Sequence, residues 1–181
     1  MTTPQSTATL QVQLAGGELA GTWTLDPARS TATFRSKSMW GLAPVKGVFG
    51  DLEGYAVVSP TGEVTGQIAV ATGTLDTKNA KRDTHLRSDD FFLSEKYPAI
   101  TFSLEKITPA GEGATVSGTL TVRDRSHPIS FPVTATLSSD GAVVLDATIQ
   151  VDRSEFGLTW NQLGMASMKN AVTIHAVFTK S

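Results

Sequence analysis

Apolar and polar side chains alternate along most of the chain. In the segment 113–123, for example, apolar or small residues occupy every second position, and Thr and Ser fill most of the positions between them. A period of two with one polar face is typical of an antiparallel sheet that has one side in water. The alternation predicts eight strands, at residues 23–36, 44–58, 63–74, 99–107, 113–123, 126–137, 142–151 and 171–180. In 44–58 the glycines predict a bulge or bend and leave the two faces unassigned.

Eight consecutive strands with one apolar face each predict the fold class. We expect an all-β protein, an eight-stranded antiparallel up-and-down barrel, because closure buries every apolar face and leaves no bare strand edge. An open sandwich of two sheets is the alternative that the same alternation allows.

One segment, 75–98, lacks the alternation and predicts a short helix. Asp76 or Thr77 would cap its start, because a short side-chain oxygen can accept a free amide of the first turn. Asp83 and Arg87, four residues apart with the acid first, suit one face of a helix. We therefore expect one short, charged helix among the strands.

Loop lengths distinguish the two ends of the predicted barrel. Because connections in an up-and-down barrel alternate between its ends, the long segments 37–43, 75–98, 123–127 and 152–170 all fall at one end, and the other end carries tight turns. Long loops are where binding usually sits, so the end with the helix is the expected mouth.

Two loops of the expected mouth are unusually apolar. Their apolar residues are Met39, Trp40 and Leu42 in the first, and Phe156, Leu158, Trp160, Leu163, Met165 and Met168 in the second. Two interpretations stay open: these residues plug the barrel end as a satellite core, or they form an apolar portal that adapts to a flexible ligand.

Small residues recur on the predicted inward faces. They are Ala114, Gly118, Ala135, Ala147 and Ala176. An eight-stranded barrel is either filled by its own side chains or holds one small ligand. Small inward residues favour a ligand, and a tapered, packed barrel is the alternative.

Composition limits the chemistry that is available. The 181 residues are enough for one domain with its own core, and the net charge of −2 argues against a nucleic-acid surface. There is no Cys, and the three histidines His85, His127 and His175 do not have the spacing of a metal site. No nucleophile motif places a Ser. We therefore expect neither a metal site nor enzyme activity.

The N-terminal segment predicts little structure. Residues 1–20 are expected to be a poorly ordered tail, unless Leu10, Val12 and Leu14 add an edge strand, and residues 21–181 form the domain. The first residues lack the basic region and apolar core of a signal peptide, and no apolar run could span a bilayer. The expected location is cytoplasmic, or exported if a leading segment has been removed.

Spaced residues across the chain resemble those of the YceI-like family. They are Trp23-Thr24-Leu25-Asp26-Pro27 with Ser30, Asp76-Thr77 with Asn79, Arg82-Asp83, His85-Leu86-Arg87-Ser88, Asp90-Phe91-Phe92, Tyr97-Pro98, Gly118-Thr119-Leu120-Thr121-Val122 with Pro128, and Arg153-Ser154 with Phe156-Gly157-Leu158. The resemblance covers roughly residues 21–180, and its central motif is specific. It implies a lipocalin-like barrel whose lumen binds a polyisoprenoid or a similar long-chain amphiphile, without enzyme activity.

The strand faces and the resemblance together predict a carrier or sequestering protein for a lipid such as an isoprenoid quinone or prenyl phosphate. A filled barrel that acts as an interaction module and an enzyme for an apolar substrate are the alternatives. The bound lipid is the expected partner, with no cofactor beyond it, and a homodimer stays open. The predicted lipid contacts of lumen and mouth are Phe34, Trp40, Leu86, Phe91, Phe92, Ile100, Phe102, Val116, Gly118, Leu120, Ile129, Phe131, Val133, Leu145, Ala147, Phe156, Trp160 and Ile174. The predicted headgroup contacts are Arg82, His85 and Arg87.

Overall fold

Strands make up most of the structure, a computed structural model that describes residues 7–110, 113–161 and 164–181. The strands are β1 (Gly21–Leu25), β2 (Thr31–Ser38), β3 (Ala43–Phe49), β4 (Leu52–Val58), β5 (Val64–Ala71), β6 (Leu75–Asp76), β7 (Ala99–Ala110), β8 (Gly113–Val122), β9 (Arg125–Leu137), β10 (Val143–Asp152) and β11 (Lys169–Lys180). The helices are α1 (Thr7–Ala15) and α2 (Ala80–Leu86), and short 3₁₀ turns cover Thr72–Thr74 and Arg153–Phe156. Of the described helices, neither has the length and apolar character that crossing a membrane requires.

The strands form one closed antiparallel meander. β1 and β2 are two halves of one barrel strand, and β3 and β4 are two halves of the next, since β1 pairs with β4 and β2 pairs with β3. The long strands then follow in chain order, and β11 pairs with both β1 and β2, which closes the barrel. The predicted eight-stranded up-and-down barrel is confirmed.

Local hydrogen bonds show why the first two predicted strands are each divided. Between β1 and β2, the Ser30 hydroxyl donates to the Asp26 carbonyl at 2.7 Å and closes a turn. Between β3 and β4, the Thr74 hydroxyl oxygen accepts from the amides of Gly50 and Asp51 at 3.1 and 3.2 Å. The second break lies in the glycine-containing segment for which the sequence predicted a bend.

Alternate residues of each strand point into the barrel. On β8, Ala114, Val116 and Val122 are buried, and the Thr and Ser residues between them are less buried. The outward polar residues pair across strands: the hydroxyls of Ser117 and Ser130 lie 2.8 Å apart. Such cross-strand pairs stabilise the solvent-exposed face of the sheet, while the apolar face surrounds the lumen.

The helix α2 lies where the sequence predicted a helix, but it begins later. Its N-cap is Asn79, whose side-chain oxygen accepts from the Arg82 amide at 3.0 Å, so the predicted caps Asp76 and Thr77 are wrong. Thr77 instead donates its amide and hydroxyl to the buried Asp83 carboxylate, at 3.0 and 2.5 Å. Residues 87–98 continue as successive turns rather than as helix.

A second helix, α1, occupies the segment that the sequence predicted as a tail or edge strand. Its register buries Leu14 against the core, while Val12 stays 72% exposed. The Gln11 side-chain amide donates to the Gly113 carbonyl at 2.9 Å. The helix thus covers the barrel end opposite the predicted mouth, because apolar core would otherwise be open there. Residues 1–6 of the predicted tail lie outside the described residues.

Candidate functional site

A continuous apolar cavity runs through the barrel. Its volume is about 520 Å³, within the range of about 300–1,000 Å³ that is usual for ligand sites. It is lined by Leu14 and Trp23 at the end covered by α1, which we call the lower end, and by Phe91 and Trp160 at the mouth. Almost all of the lining surface is carbon, so the lumen suits an apolar molecule.

The size of this cavity argues against a barrel packed for stability alone. At about 24 cal/mol per Å³, leaving 520 Å³ without packed atoms would forgo on the order of 12 kcal/mol. That figure is comparable to the whole stability of a typical domain, about 5–15 kcal/mol. Larger side chains at Ala114, Ala135, Ala147 and Ala176, which all line the cavity, would have filled much of it.

Most of the predicted lipid contacts line the cavity. They are Phe34, Leu86, Phe91, Phe92, Ile100, Phe102, Val116, Leu120, Phe131, Val133, Leu145, Ala147, Phe156, Trp160 and Ile174. Strand parity brings together those that lie on strands, because every second residue of each strand faces the lumen. The others, Leu86, Phe91, Phe92, Phe156 and Trp160, come from α2, turns and the loop after β10. That these side chains contact a lipid stays a prediction.

Gly118 is buried but does not line the cavity. A Cβ at this position would lie 2.7 Å from Cζ of Phe102 and 2.1 Å from the Ser103 carbonyl oxygen. The space that the missing side chain leaves is therefore occupied by the Phe102 ring and by backbone. The prediction that a ligand uses this space is wrong, because parity identifies the face of a residue and not what packs against it.

Two further predicted contacts also lie off the cavity lining. Ile129, which pairs with Gly118, is half-buried. Trp40 is 67% exposed in the turn between β2 and β3, at the rim of the mouth. The rim position argues against a satellite core, and contact of Trp40 with a lipid at the mouth stays a prediction.

An aromatic cluster forms the inner side of the mouth. His85 at the end of α2 packs edge-on against Phe91 and Trp160, with ring centroids 5.2 and 4.4 Å away, and the rings of Phe91 and Trp160 are 5.5 Å apart. His85 Nε2 lies 2.8 Å from Asp90 Oδ2. All three rings line the cavity, so a molecule that enters the lumen passes them.

The two arginines predicted as headgroup contacts have different positions. Arg82 lines the cavity, and its guanidinium donates to the hydroxyl and the carbonyl of Thr77, both at 2.8 Å. Arg87 does not line the cavity, and it donates to the carbonyls of Gly73 and Leu75 at 3.1 and 2.8 Å. Arg87 therefore anchors α2 to β6.

Arg153 is a cation of the mouth that the sequence analysis did not single out as a contact. It is 8% exposed, lines the cavity, and places Cζ 5.4 Å from the centre of the Phe91 ring. Its guanidinium donates to four backbone carbonyls, of Leu158 and Trp160 at 2.7 Å, Ser167 at 3.0 Å and Ala166 at 3.4 Å. Burial lowers the pKa of Arg153, and the charge of Asp152 partly offsets this. The side chain thus fixes the shape of the mouth loop, residues 153–161 and 164–168.

Most of the polar lining lies at the mouth, and its charged side chains are cationic. The titratable residues that line the cavity are Lys37, Tyr55, Arg82, His85 and Arg153. Among the described residues no Asp or Glu lines it. In the same part of the chain, no three His, Cys, Asp or Glu side chains lie together as metal ligands would. The site can therefore hold an apolar chain with a hydrogen-bond-accepting or anionic group at one end.

Other lining residues were missed by the sequence analysis. Val45, Phe49, Ala56 and Val58 belong to the segment 44–58, whose faces the glycines obscured. Leu14 and Leu19 belong to the segment that was predicted as a tail. For the first group, the pairing of β3 with β2 and of β4 with β1 supplies the missing parity, which no local pattern gives.

A closed antiparallel barrel with an apolar lumen and one polar mouth defines a lipocalin-like class of binding protein. Within this class the chain belongs to the YceI-like family, since the model of the YceI-like domain matches residues 23–179. The chain is 30% identical over 122 residues to a UPF0312 protein of Pseudomonas aeruginosa, covering 65% of this chain and 63% of that protein. It is 29% identical over 121 residues to Protein YceI of Escherichia coli, with 65% and 63% covered. The matched part thus spans just under two thirds of these relatives.

Solved structures of other proteins share this fold. BcnA of Burkholderia cenocepacia matches with a TM-score of 0.77 at 22% identity, over 86% of this chain and 99% of BcnA. A polyisoprenoid binding domain from Saccharophagus degradans matches with a TM-score of 0.71 at 17% identity, over 88% of this chain and 98% of that domain. At these identities the likeness shows the common fold alone.

Proposed function

We propose that this protein binds a polyisoprenoid or similar long-chain lipid in its lumen and acts as its carrier or sequestering protein. The continuous apolar cavity of about 520 Å³ is the observation that carries the proposal. The protein of similar fold from Saccharophagus degradans is described as a polyisoprenoid binding domain, which supports the same class of ligand.

The energetics are sufficient for useful affinity. Burying about 20 carbons of an apolar chain gains roughly 15 kcal/mol at about 0.8 kcal/mol per methylene. Association and ordering remove about 4–15 kcal/mol of that gain. The lumen therefore supplies most of the affinity, and contacts at the mouth select among headgroups.

The charges of the mouth support a particular orientation of the lipid. The apolar lower end suits the tail, while Arg82, Arg153 and His85 at the mouth suit a group that accepts hydrogen bonds or carries negative charge. A quinone ring or a prenyl phosphate meets this requirement. We propose binding rather than catalysis, because the lining is almost entirely apolar and carries no Asp or Glu among the described residues.

Solvent extraction tests this proposal directly. The purified protein is extracted with organic solvent, and in parallel the intact complex is weighed by native mass spectrometry. One isoprenoid lipid per chain is the expected result. A protein that carries no lipid and retains none of an added isoprenoid quinone or prenyl phosphate would contradict the proposal.

A ring introduced on the lumen side should displace the ligand. Ala147 lines the cavity on β10, so Ala147→Phe should abolish retention of an isoprenoid quinone. Its cost in stability should stay below the about 1–3 kcal/mol that overpacking of a filled core costs. Retention is measured by extraction, and stability by the denaturant midpoint.

The adjacent position provides the matched control. Thr148 is exposed on the outer face, where its hydroxyl lies 3.5 Å from that of Thr173. Thr148→Phe should retain the quinone. Equal loss of the quinone from both variants would mean that the effect of Ala147→Phe does not arise in the lumen. A strongly destabilised Ala147→Phe protein, whose parent also retains no lipid, would mean that the barrel is packed.

A further inference from the structure

The turn between β2 and β3 presents large apolar side chains to solvent. Met39, Trp40 and Leu42 are 49%, 67% and 82% exposed. Met39 and Trp40 also have positive φ angles of 51° and 54°, a conformation that bulky residues adopt only at a cost in stability. A turn selected for folding alone would place Asn or Gly at these positions, so the apolar residues point to a contact outside the chain.

The strands beside this turn carry only positive charge. From residue 31 to 49 the sequence contains Arg35, Lys37 and Lys46 and no Asp or Glu, in a chain of net charge −2. All three are exposed, and Arg35 lies directly opposite Lys46. None of them takes part in a salt bridge among the described residues. Like charges placed opposite each other destabilise a sheet, so this arrangement favours an anionic partner.

The turn is also joined to the mouth of the cavity. The Trp40 amide donates to the Met165 carbonyl at 3.2 Å, and the Ser167 amide donates to the Lys37 carbonyl at 2.9 Å. Lys37 and Ser38 line the cavity. A surface that binds the turn would therefore lie against the opening through which the cavity is reached.

We propose that the β2–β3 hairpin docks the protein on an anionic lipid bilayer. Met39, Trp40 and Leu42 enter the interface at the level of the headgroups, where Trp is favoured. The three cations lie on anionic headgroups, and each strengthens binding about fivefold. Docking brings the mouth to the bilayer, so that a lipid passes between membrane and lumen. Only this last purpose rests on the proposed function, because docking itself needs no ligand in the lumen.

Flotation with vesicles tests the docking. The full-length protein is mixed with vesicles of phosphatidylcholine alone, or of phosphatidylcholine and phosphatidylglycerol in equal parts. We expect binding to the anionic vesicles that weakens as salt is raised. The double variant Trp40→Ala/Leu42→Ala should bind about tenfold more weakly because it loses apolar area. Arg35→Gln/Lys46→Gln should lose the preference for anionic vesicles.

A matched control uses exposed apolar residues away from the hairpin. Val12 on α1 and Val57 on β4 are 72% and 43% exposed, and Val12→Ala/Val57→Ala should bind vesicles like the parent protein. Circular dichroism establishes that each variant is folded. Failure of the parent to bind anionic vesicles at low salt would overturn the proposal, and so would equal losses in the control. Concentration-dependent self-association that disappears in Trp40→Ala/Leu42→Ala, without vesicle binding, would identify the hairpin as a contact between copies of the chain instead.

Vesicle binding and lipid retention, measured on the same variants, distinguish docking from lipid binding in the lumen. Ala147→Phe should still bind anionic vesicles after losing its lipid, whereas the hairpin variants should keep a lipid that is already bound. If the parent protein carries no lipid and retains no added quinone or prenyl phosphate, while the hairpin variants lose vesicle binding, the proposed function fails and the docking proposal stands.

Discussion

Arg153 shows how one residue affects the electrostatics of the site. A buried arginine is usually paired with a carboxylate, which cancels its charge. Arg153 instead donates to four carbonyls of the mouth loop. Carbonyl dipoles satisfy the donors but leave the net positive charge in place. The mouth loop thus holds a fixed cation beside the lumen, and no carboxylate of the described residues is in contact with it.

Gly118 gives the sharpest prediction at the residue scale. Gly118→Ala should lower the free energy of unfolding by about 1–3 kcal/mol, because its Cβ would meet a carbonyl oxygen and the Phe102 ring. Gly73→Ala is the control, since a Cβ there meets nothing within 4 Å, and it should change stability by about 0.5 kcal/mol or less. Urea unfolding measures both, and equal effects would refute this account of Gly118.

The helix α2 combines an anchoring residue and a lumen residue in little more than one turn. Arg87 fastens the helix to the carbonyls of Gly73 and Leu75. Arg82 reaches the cavity, and Thr77 connects it to the buried Asp83. The same element therefore contributes to stability through one arginine and to the site through the other.

Substitution of each arginine should separate these contributions. Arg87→Ala should lower the free energy of unfolding by about 1–3 kcal/mol, since it removes charged hydrogen bonds. It should weaken the binding of all lipids by the same factor. Arg82→Ala should weaken the binding of a prenyl phosphate more than the binding of a neutral isoprenoid quinone. The ratio of the two dissociation constants is the measurement. A changed ratio in Arg87→Ala, or an unchanged one in Arg82→Ala, would contradict these assignments.

At the scale of elements, the sequence predicted those that the local alternation of apolar and polar residues determines. The alternation identified the long strands and, through them, most of the cavity lining. The glycines of 44–58 predicted a bend, but the position of the break between β3 and β4 depends on Thr74, more than twenty residues further along the chain, so no local pattern locates it. The cap at Asn79 was missed because Asp76 and Thr77 have equally suitable side chains. The partners of Arg153 lie in a loop that has no period, and its role could not be predicted.

The two ends of the barrel are covered in different ways. The lower end is covered by α1, and the mouth by α2, residues 87–98 and the mouth loop. Leu14 of α1 lines the cavity, whereas Val12 on the same helix is 72% exposed. The lower closure therefore rests on apolar contacts with the lumen, and the mouth on hydrogen bonds and ring contacts.

Charge placed on α1 should open the lower end. Leu14→Asp puts a carboxylate against apolar surface, which is unfavourable, so α1 should detach and a bound quinone should dissociate several-fold faster. Val12→Asp is the matched control and should leave the dissociation rate unchanged. Stopped-flow transfer of the quinone to acceptor vesicles measures the rate. Equal rates in the two variants would mean that α1 does not close the lumen.

The seam of the barrel affects how the chain folds. β11 pairs with β10 on one side and with β1 and β2 on the other, and the hydroxyls of Thr24 and Ser181 meet across 157 residues of sequence. Contacts of such long range slow folding. Because β11 follows every other strand, β1 and β10 keep bare edges on the ribosome until it has been synthesised. Closure is therefore a late event in folding, and the open-edged chain is the species most exposed to aggregation.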